Sequence, residues 1–318
     1  MYKRQDLFGT QNSLVNNQNN LFSSQNDLVG NQNNRIEQQT ELLEADRRSS
    51  YVFLMANIMD KVDEELKNPE NKHRGLTLEI VGRITALSQS LKPYRYLKNE
   101  TLIKKALSPE RGQLLLALAK SNLDSTLAYD PIFKTTKFSR ADLDEANLEG
   151  AYLVNARLNN ADLREVELRD GNLHKAQLHS VNFLEAILLR ANLSKTELQG
   201  AILSFANMKK ANLSEAKLND ADMNHADLSE ANLKGAYLKN VNLRDANLNK
   251  AKLIDTYLKG ADLRDVNLKN AKVNDKDWFN LLKGWKVKGL DKIIDNYYLE
   301  EVREENGNED VYYLLKKR

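Results

Sequence analysis

A five-residue period runs from Phe138 to Val273 without one insertion, and neither a helix nor a strand can carry it. The centres of the repeat are Phe138, Leu143, Leu148, Leu153 and onward to Leu268 and Val273, 28 in all, every one Leu, Met, Phe or Val. Two residues before each centre stands a small residue: Ala in 20 repeats, and Val, Thr or Gly in the rest. Side chains return to one face every 3.6 residues in a helix and every two in a strand. A period of five therefore needs a chain that turns a corner once per repeat, pointing one large and one small apolar side chain inward. Such a chain stacks coil on coil, and self-similarity at a fixed period is the mark of a solenoid. Gly150, Gly200, Gly235 and Gly260 all fall two residues after a centre, where a turn can use a flexible backbone. No proline follows Pro131, so no coil loses a ladder donor.

The repeat reads Ala-Asn-Leu or Ala-Asp-Leu followed by two variable residues, as in Ala141-Asp142-Leu143, Ala191-Asn192-Leu193 and Ala261-Asp262-Leu263. This pattern resembles the pentapeptide repeat family over about residues 131–275. The resemblance implies a mainly β fold, a right-handed quadrilateral β-helix with four repeats, and hence twenty residues, per coil. Seven coils follow from 28 repeats, a rod of about 34 Å at the spacing of paired strands. A dry square interior of stacked Leu, with Ala filling the gaps, gains about 1.5–3 kcal/mol per large side chain buried.

The N-terminal arm carries a second repeat. Gln11, Gln18, Gln25, Gln32 and Gln39 are seven apart, Leu14, Leu21 and Leu28 follow three residues after a Gln, and Val15, Phe22, Val29 and Ile36 come next. One reading is a coiled coil in which Leu14, Val15, Leu21, Phe22, Leu28, Val29 and Ile36 form apolar layers. Gln18, Gln25 and Gln32 would then be polar layers that fix register and oligomer state at a cost in stability. The other reading is a disordered tail, favoured by the density of Asn. The heptads shift phase at Ala45, Val52, Met59 and Leu66, so one helix can run to about Lys67, where Asn68-Pro69 stops it. Leu76–Leu91 is amphipathic, and Ser108-Pro109-Glu110 is a helix start. After the rod, Asp277 is placed to cap a short helix Trp278–Lys283 closed by Gly284, with Trp278 and Trp285 sealing the last coil. Two apolar segments, Leu290–Leu299 and Val311–Leu315, follow with a turn at Asn306-Gly307. The expected organisation is a coiled-coil arm and long helix over 1–67, a small helical module over 68–130 covering the first coil, the β-helix over 131–275, and an α+β cap over 276–318.

Chemistry is sparse. There is no cysteine, so disulfides, thiolate metal sites and cysteine nucleophiles are all excluded. His73, His174, His179 and His225 never fall twenty residues apart, the spacing expected of groups sharing one face. No phosphate loop, nucleophile elbow or zinc spacing occurs. No enzyme activity, cofactor or metal is expected. With 47 basic and 45 acidic residues, the total charge of +2 gives no reason to expect nucleic-acid binding. Apolar runs are too short for membrane insertion, and no signal-peptide core follows Met1, so the cytoplasm is the expected compartment.

Sorting outward residues by side is more informative. One side gathers Asp142, Asp144, Glu145, Asp162, Glu165, Glu185, Asp222, Asp245, Asp262 and Asp265 against Arg164, Arg244 and Arg264. The side built on centres 138 to 258 is basic and stacks Tyr237 and Tyr257. Leu184, Ile187, Leu189, Ile202 and Phe205 interrupt the polar surface within two coils, on the acidic side and the one next to it. An apolar patch mid-rod marks an interface, or else a place that the N-terminal helices cover. The resulting expectation is a non-enzymatic scaffold that associates with itself through the heptads and presents rod faces to a protein partner. The alternative comes from the family resemblance: some members mimic duplex DNA in shape and charge and occupy a type II topoisomerase or another DNA-binding protein.

Overall fold

The rod forms because three local demands coincide in every repeat. Centres and small residues turn inward and are buried, from Phe138, Ala141 and Leu143 to Leu268, Ala271 and Val273. The residue before each centre makes a one-residue parallel bridge to the residue twenty positions away, in steps of five from Asp142↔Asp162 to Lys252↔Lys272. The residue two past each centre turns the corner in the left-handed region. Every such residue from Arg140 to Asn270 has φ between 51° and 71°, and only Gly150, Gly200, Gly235 and Gly260 among them are glycine.

The preference for Asn or Asp before the centre now has a cause. Its side-chain oxygen accepts the backbone N–H of the residue after the centre, as Asn192 does from Ser194 (3.1 Å) and Asp227 from Ser229 (3.0 Å). This Asx-turn holds the corner that the left-handed residue completes. Where Asn recurs in successive coils the carboxamides also bond along the stack. Asn192, Asn212 and Asn232 each donate Nδ2 to the Asn one coil earlier at 3.1, 3.4 and 3.1 Å.

The computed structural model describes residues 2–71, 75–98, 101–121, 129–303 and 311–318. It divides into two compact parts, Met1–Val52 with Arg95–Lys104, and Phe53–Tyr94 with Lys105–Arg318. Helix α1 (Tyr2–Lys67) is continuous, as the heptads and their phase shift predict. In the first part it carries the heptads, and strands β1 (Leu97–Lys98) and β2 (Thr101–Leu102) pair antiparallel with Leu97 opposite Leu102. No helix among the described residues is long and apolar enough to cross a membrane.

In the second part, the last turns of α1 bury Val62 and Leu66, and Glu65 accepts both the N–H (2.8 Å) and the O–H (2.6 Å) of Thr77. Thr77 in turn caps α2 (Leu78–Ser90), which starts two residues later than the apolar pattern suggests. Helix α3 (Pro109–Ala119) begins where Ser108-Pro109-Glu110 indicates, with the Ser108 hydroxyl accepting from the Arg111 N–H. Ser108 also extends the β ladder: its N–H donates to Arg140 O (2.7 Å) and its O accepts from Asp142 N–H (3.1 Å). Phe133 of α4 (Tyr129–Thr135) lies 5.7 Å from Phe138, both fully buried, and plugs the open end. Buried Arg111 ties this end together by donating to Ser88 O (3.1 Å) and Ser139 O (2.5 Å), a clasp that nothing in its sequence context signals.

At the other end β3 (Lys272–Val273) pairs with β5 (Val311–Lys317), which pairs with β4 (Tyr297–Arg303) to give the order β3-β5-β4, both pairings antiparallel. Helix α5 (Trp278–Gly284) has Asp277 at its start but no side-chain cap bond from it; the Asp277 N–H is instead held by Asp275 (2.7 Å). The apolar segment beginning at Leu290 opens as helix α6 (Leu290–Asn296) and becomes a strand only at Tyr297. The cap continues the ladder at three corners of the last coil. The N–H groups of Gly260, Leu263 and Asn270 donate to Trp285, Lys288 and Leu315 carbonyls at 2.8, 3.0 and 2.7 Å. Trp278 is buried as a seal should be, whereas Trp285 is half-buried, with its ring edge-on to Tyr257 at 5.4 Å. The predicted turn at Asn306-Gly307 lies outside the described residues.

Candidate protein-interaction faces

Because coils stack in register, each outward position forms a column that continues every twenty residues. On the acidic side the columns bring acids together, and cations answer five of the ten. Arg164 bridges Asp144 (2.7 Å) and Asp162 (2.9 Å), and Arg264 pairs with Asp262 (2.5 Å). Arg244 lies 3.3 Å from Asp245, with His225 at 3.8 Å from the same carboxylate. Two more cations come from the C-terminal cap: Lys292 reaches Asp265 (2.8 Å) and Lys288 approaches Asp262 (3.9 Å). Hydrogen bonds from Arg264 and Lys292 hold the Asp262 and Asp265 carboxyls below the ordinary carboxylate range. The sequence count of acids therefore overstates the field, because a count by side omits cations that the cap brings in. Among the acids with no ion pair among the described residues are Asp222 and an exposed corner column, Glu145, Glu165 and Glu185.

Asp142 behaves differently from the rest. Burial at the N-terminal junction, with Asp162 and Asp144 close by, pushes its carboxyl up to about 6. An unfolded carboxyl releases its proton near pH 4, so between about pH 4 and 6 the fold binds more protons than the unfolded chain. Stability from this group consequently falls as pH rises through that window. Asp142→Asn keeps the acceptor that Asp144 N–H uses and removes the charge. We expect it to stabilise the protein by about 1 kcal/mol at pH 7, allowing for partial exposure, and to leave stability at pH 4 unchanged. Urea unfolding at the two pH values checks this; equal effects at both would refute the assignment.

The five apolar residues of the expected patch are all at least partly exposed. Phe205 is 55% exposed and Ile202 36%, and Leu184, Ile187 and Leu189 beside them are half-buried. Phe205 stacks on His225 one coil on, with ring centres 4.8 Å apart and planes within 10°. Directly before Phe205 in the same corner column stand Glu185, Glu165 and Glu145, so the patch has an anionic flank.

A histidine can meet a group that is not twenty residues away. His179 Nε2 lies 3.1 Å from Glu197, eighteen residues away, because the two flank centres that are themselves twenty apart. His174 Nδ1 meets Ser194 Oγ at 2.7 Å. His73 lies outside the described residues, and among the described residues no cluster of His, Asp and Glu is placed to hold a metal ion. On the basic side Lys217 pairs with Glu197 (3.0 Å) and Tyr237 is exposed. A cleft of about 460 Å³ opens between the last coil and the cap, lined by Lys269, Lys292, Asn296 and Tyr297 among others.

Along the arm Val15, Leu21, Phe22, Leu28, Val29 and Ile36 are all exposed, between 49% and 64%, and Gln18, Gln25 and Gln32 are exposed too. The side chain of Leu14 lies outside the described residues.

The pentapeptide repeat model matches residues 133–170, 172–209, 206–245 and 242–275. Among solved structures, a pentapeptide repeat protein of the Arabidopsis thaliana thylakoid lumen is 34% identical over 33% of this chain and 69% of its own length, with a TM-score of 0.28. HetL, involved in heterocyst differentiation regulation in the cyanobacterium Nostoc sp. strain PCC 7120, is 27% identical over 43% and 82%, with a TM-score of 0.23. QnrB1, a plasmid-mediated fluoroquinolone resistance protein, is 16% identical over 39% and 66%, also with a TM-score of 0.23. No curated protein matches the sequence. Pentapeptide repeat proteins are in general non-catalytic and act through protein–protein contact. With its unbroken run of five-residue repeats, the chain belongs to the pentapeptide repeat family.

Proposed function

We propose that this protein is a self-associating scaffold whose heptad arm gathers protomers and whose rods present the Leu184–Phe205 patch to a protein partner. The observation that carries the reading is the exposed apolar stripe of the arm, regular at seven residues from Val15 to Ile36 of α1. A long helix with an apolar stripe in water has little tertiary support, and packing against copies of itself supplies it. The patch complements this, since an apolar surface with an acidic flank suits a partner that is apolar and basic. No catalytic step is assigned.

Light scattering on the full chain and on one starting at Glu44 tests the arm. We expect a discrete oligomer that becomes a monomer on truncation; a full-length monomer would overturn self-association. For the patch, Leu189→Asp with Phe205→Asp should leave the far-UV spectrum and melting of the rod intact and abolish partner contact. Undiminished partner binding by the double variant would remove the patch from the reading.

The Glu145–Glu165–Glu185 column supports a second reading, mimicry of duplex DNA toward a topoisomerase or another DNA-binding protein. The cations that answer the other acids weigh against it. No inhibition of type II topoisomerase supercoiling at micromolar protein would count against that target.

A further inference from the structure

One corner of the rod carries a column that changes character midway. Glu145, Glu165, Glu185, Phe205 and His225 succeed one another at twenty residues, and all five are exposed. The ladder keeps them in step. The N–H groups of Glu145, Glu165, Glu185 and Phe205 donate to the carbonyls of Arg164, Leu184, Ser204 and Asn224 at 2.9, 2.9, 3.0 and 3.0 Å. Each corner residue therefore stands about 4.8 Å beyond the last along the rod. The three glutamates enter no ion pair among the described residues, and Arg164, which precedes Glu165, is taken up by Asp144 and Asp162. Phe205 is 55% exposed, yet His225 stacks on its ring at 4.8 Å with planes within 10°. A ring held in one orientation loses little freedom when a partner covers it.

We propose that this corner receives an amphipathic helix of a partner protein, laid along the rod. A basic residue on each of three successive turns faces Glu145, Glu165 and Glu185, and an apolar residue on the next turn packs on Phe205. The fit is one of rise. A helix climbs about 1.5 Å per residue, so positions i, i+3, i+7 and i+10 share a face at about 0, 4.5, 10.5 and 15 Å. The column stands at about 0, 4.8, 9.6 and 14.4 Å, a match within about 1 Å throughout. An extended strand returns to one face every two residues, about 6.6 Å, and is about 5 Å out of step after three returns. Charge fixes the sign of the partner, since adjacent carboxylates attract cations and disfavour anions. Phe205, with Ile202 also exposed, supplies the apolar anchor that charge alone does not. The proposal rests on the Leu184–Phe205 patch being the partner surface, and adds the form and spacing of what binds there. Self-association plays no part in it.

The probe is a synthetic Ala- and Gln-based helical peptide of about twenty residues, with Arg at i, i+3 and i+7 and Leu at i+10. Its control has the same composition with the arginines at i, i+2 and i+5, which face different ways. Fluorescence anisotropy on the full chain should show saturable binding of the phased peptide and binding about tenfold weaker, or less, for the control. Glu165→Gln combined with Glu185→Gln should weaken the phased peptide about fivefold or more, at up to about fivefold per exposed pair. Phe205→Ser should weaken it about tenfold or more, the worth of one covered aromatic ring. These side chains are exposed, so both variants should melt as the parent does. Equal binding of the two peptides, no saturable binding below about millimolar, or undiminished binding by the glutamate variant would each overturn the helix. If both peptides bind equally and Phe205→Ser abolishes both, the patch stands as the partner surface and only the form of the partner is wrong. Undiminished binding by Phe205→Ser removes the patch as well. A fall in the mass of the full chain on Phe205→Ser would make the occupant a second copy, against the proposal.

Discussion

Gly112→Ala is expected to cost about 3 kcal/mol or more, a large effect for the addition of one methyl group. A β-carbon there would lie 2.0 Å from the Asp142 carbonyl oxygen and 3.0 Å from its carbon, both main-chain atoms of the first coil. Neither can move without disturbing the ladder, since Asp142 N–H donates to Ser108 O and Ser108 N–H to Arg140 O. Helix α3 would have to lift away, exposing Leu114, Leu115 and Leu118, which are fully buried. The measurement is urea unfolding together with hydrogen exchange of the amides at 108, 140 and 142. Unchanged protection of those amides would mean that the cap tolerates the methyl group and that α3 is not held as closely as described.

Corner positions supply the second large effect, and its sign depends on the residue introduced. Gly260 has φ +71°, and a β-carbon on it would lie 2.5 Å from Asn240 Oδ1. A β-branched residue in the left-handed region adds strain of about 1–3 kcal/mol to that contact, so Gly260→Val should destabilise by about 3 kcal/mol. Lys250 occupies the same kind of corner with φ 60° and an exposed side chain. Lys250→Gly relieves left-handed strain of about 1–2 kcal/mol against a chain-entropy cost of about 0.5–1 kcal/mol. It should therefore stabilise by up to about 1 kcal/mol, whereas glycine elsewhere in a repeat destabilises. Thermal unfolding of the pair decides the point: destabilisation by both would show that corner strain is not what limits the rod.

The corner rule was open to reading in the sequence. From Arg140 to Asn270 no corner residue is Val, Ile or Thr, while Gly, Asn and Asp fill nearly half of these positions. The four glycines alone suggest flexibility; the missing β-branched residues indicate the sign of φ. The rod and its centres were legible because they rest on a strict period, and the heptads with their phase shift allowed the one helix that α1 forms. Local chemistry also disclosed the start of α3 at Ser108. Contacts between elements far apart in the chain were not legible. Arg111 reaching Ser88 and Ser139, or Lys292 reaching Asp265, follows from how the caps dock, and no spacing within either segment encodes it. The apolar residues were visible as an exception to a periodic surface, whereas the contact of Lys272 with Tyr312 needed the cap folded beside the last coil.

Stacking at twenty residues makes sequence distance an angle. Five residues are a quarter turn, so losing one repeat would swing everything beyond it by ninety degrees. Dropping four would shorten the rod by one storey and leave every bearing unchanged. Between centres 203 and 253 lie fifty residues, two and a half turns, so Phe205 and Lys252 look in opposite directions. A protein seated on the side of Phe205 would leave the opposite side open.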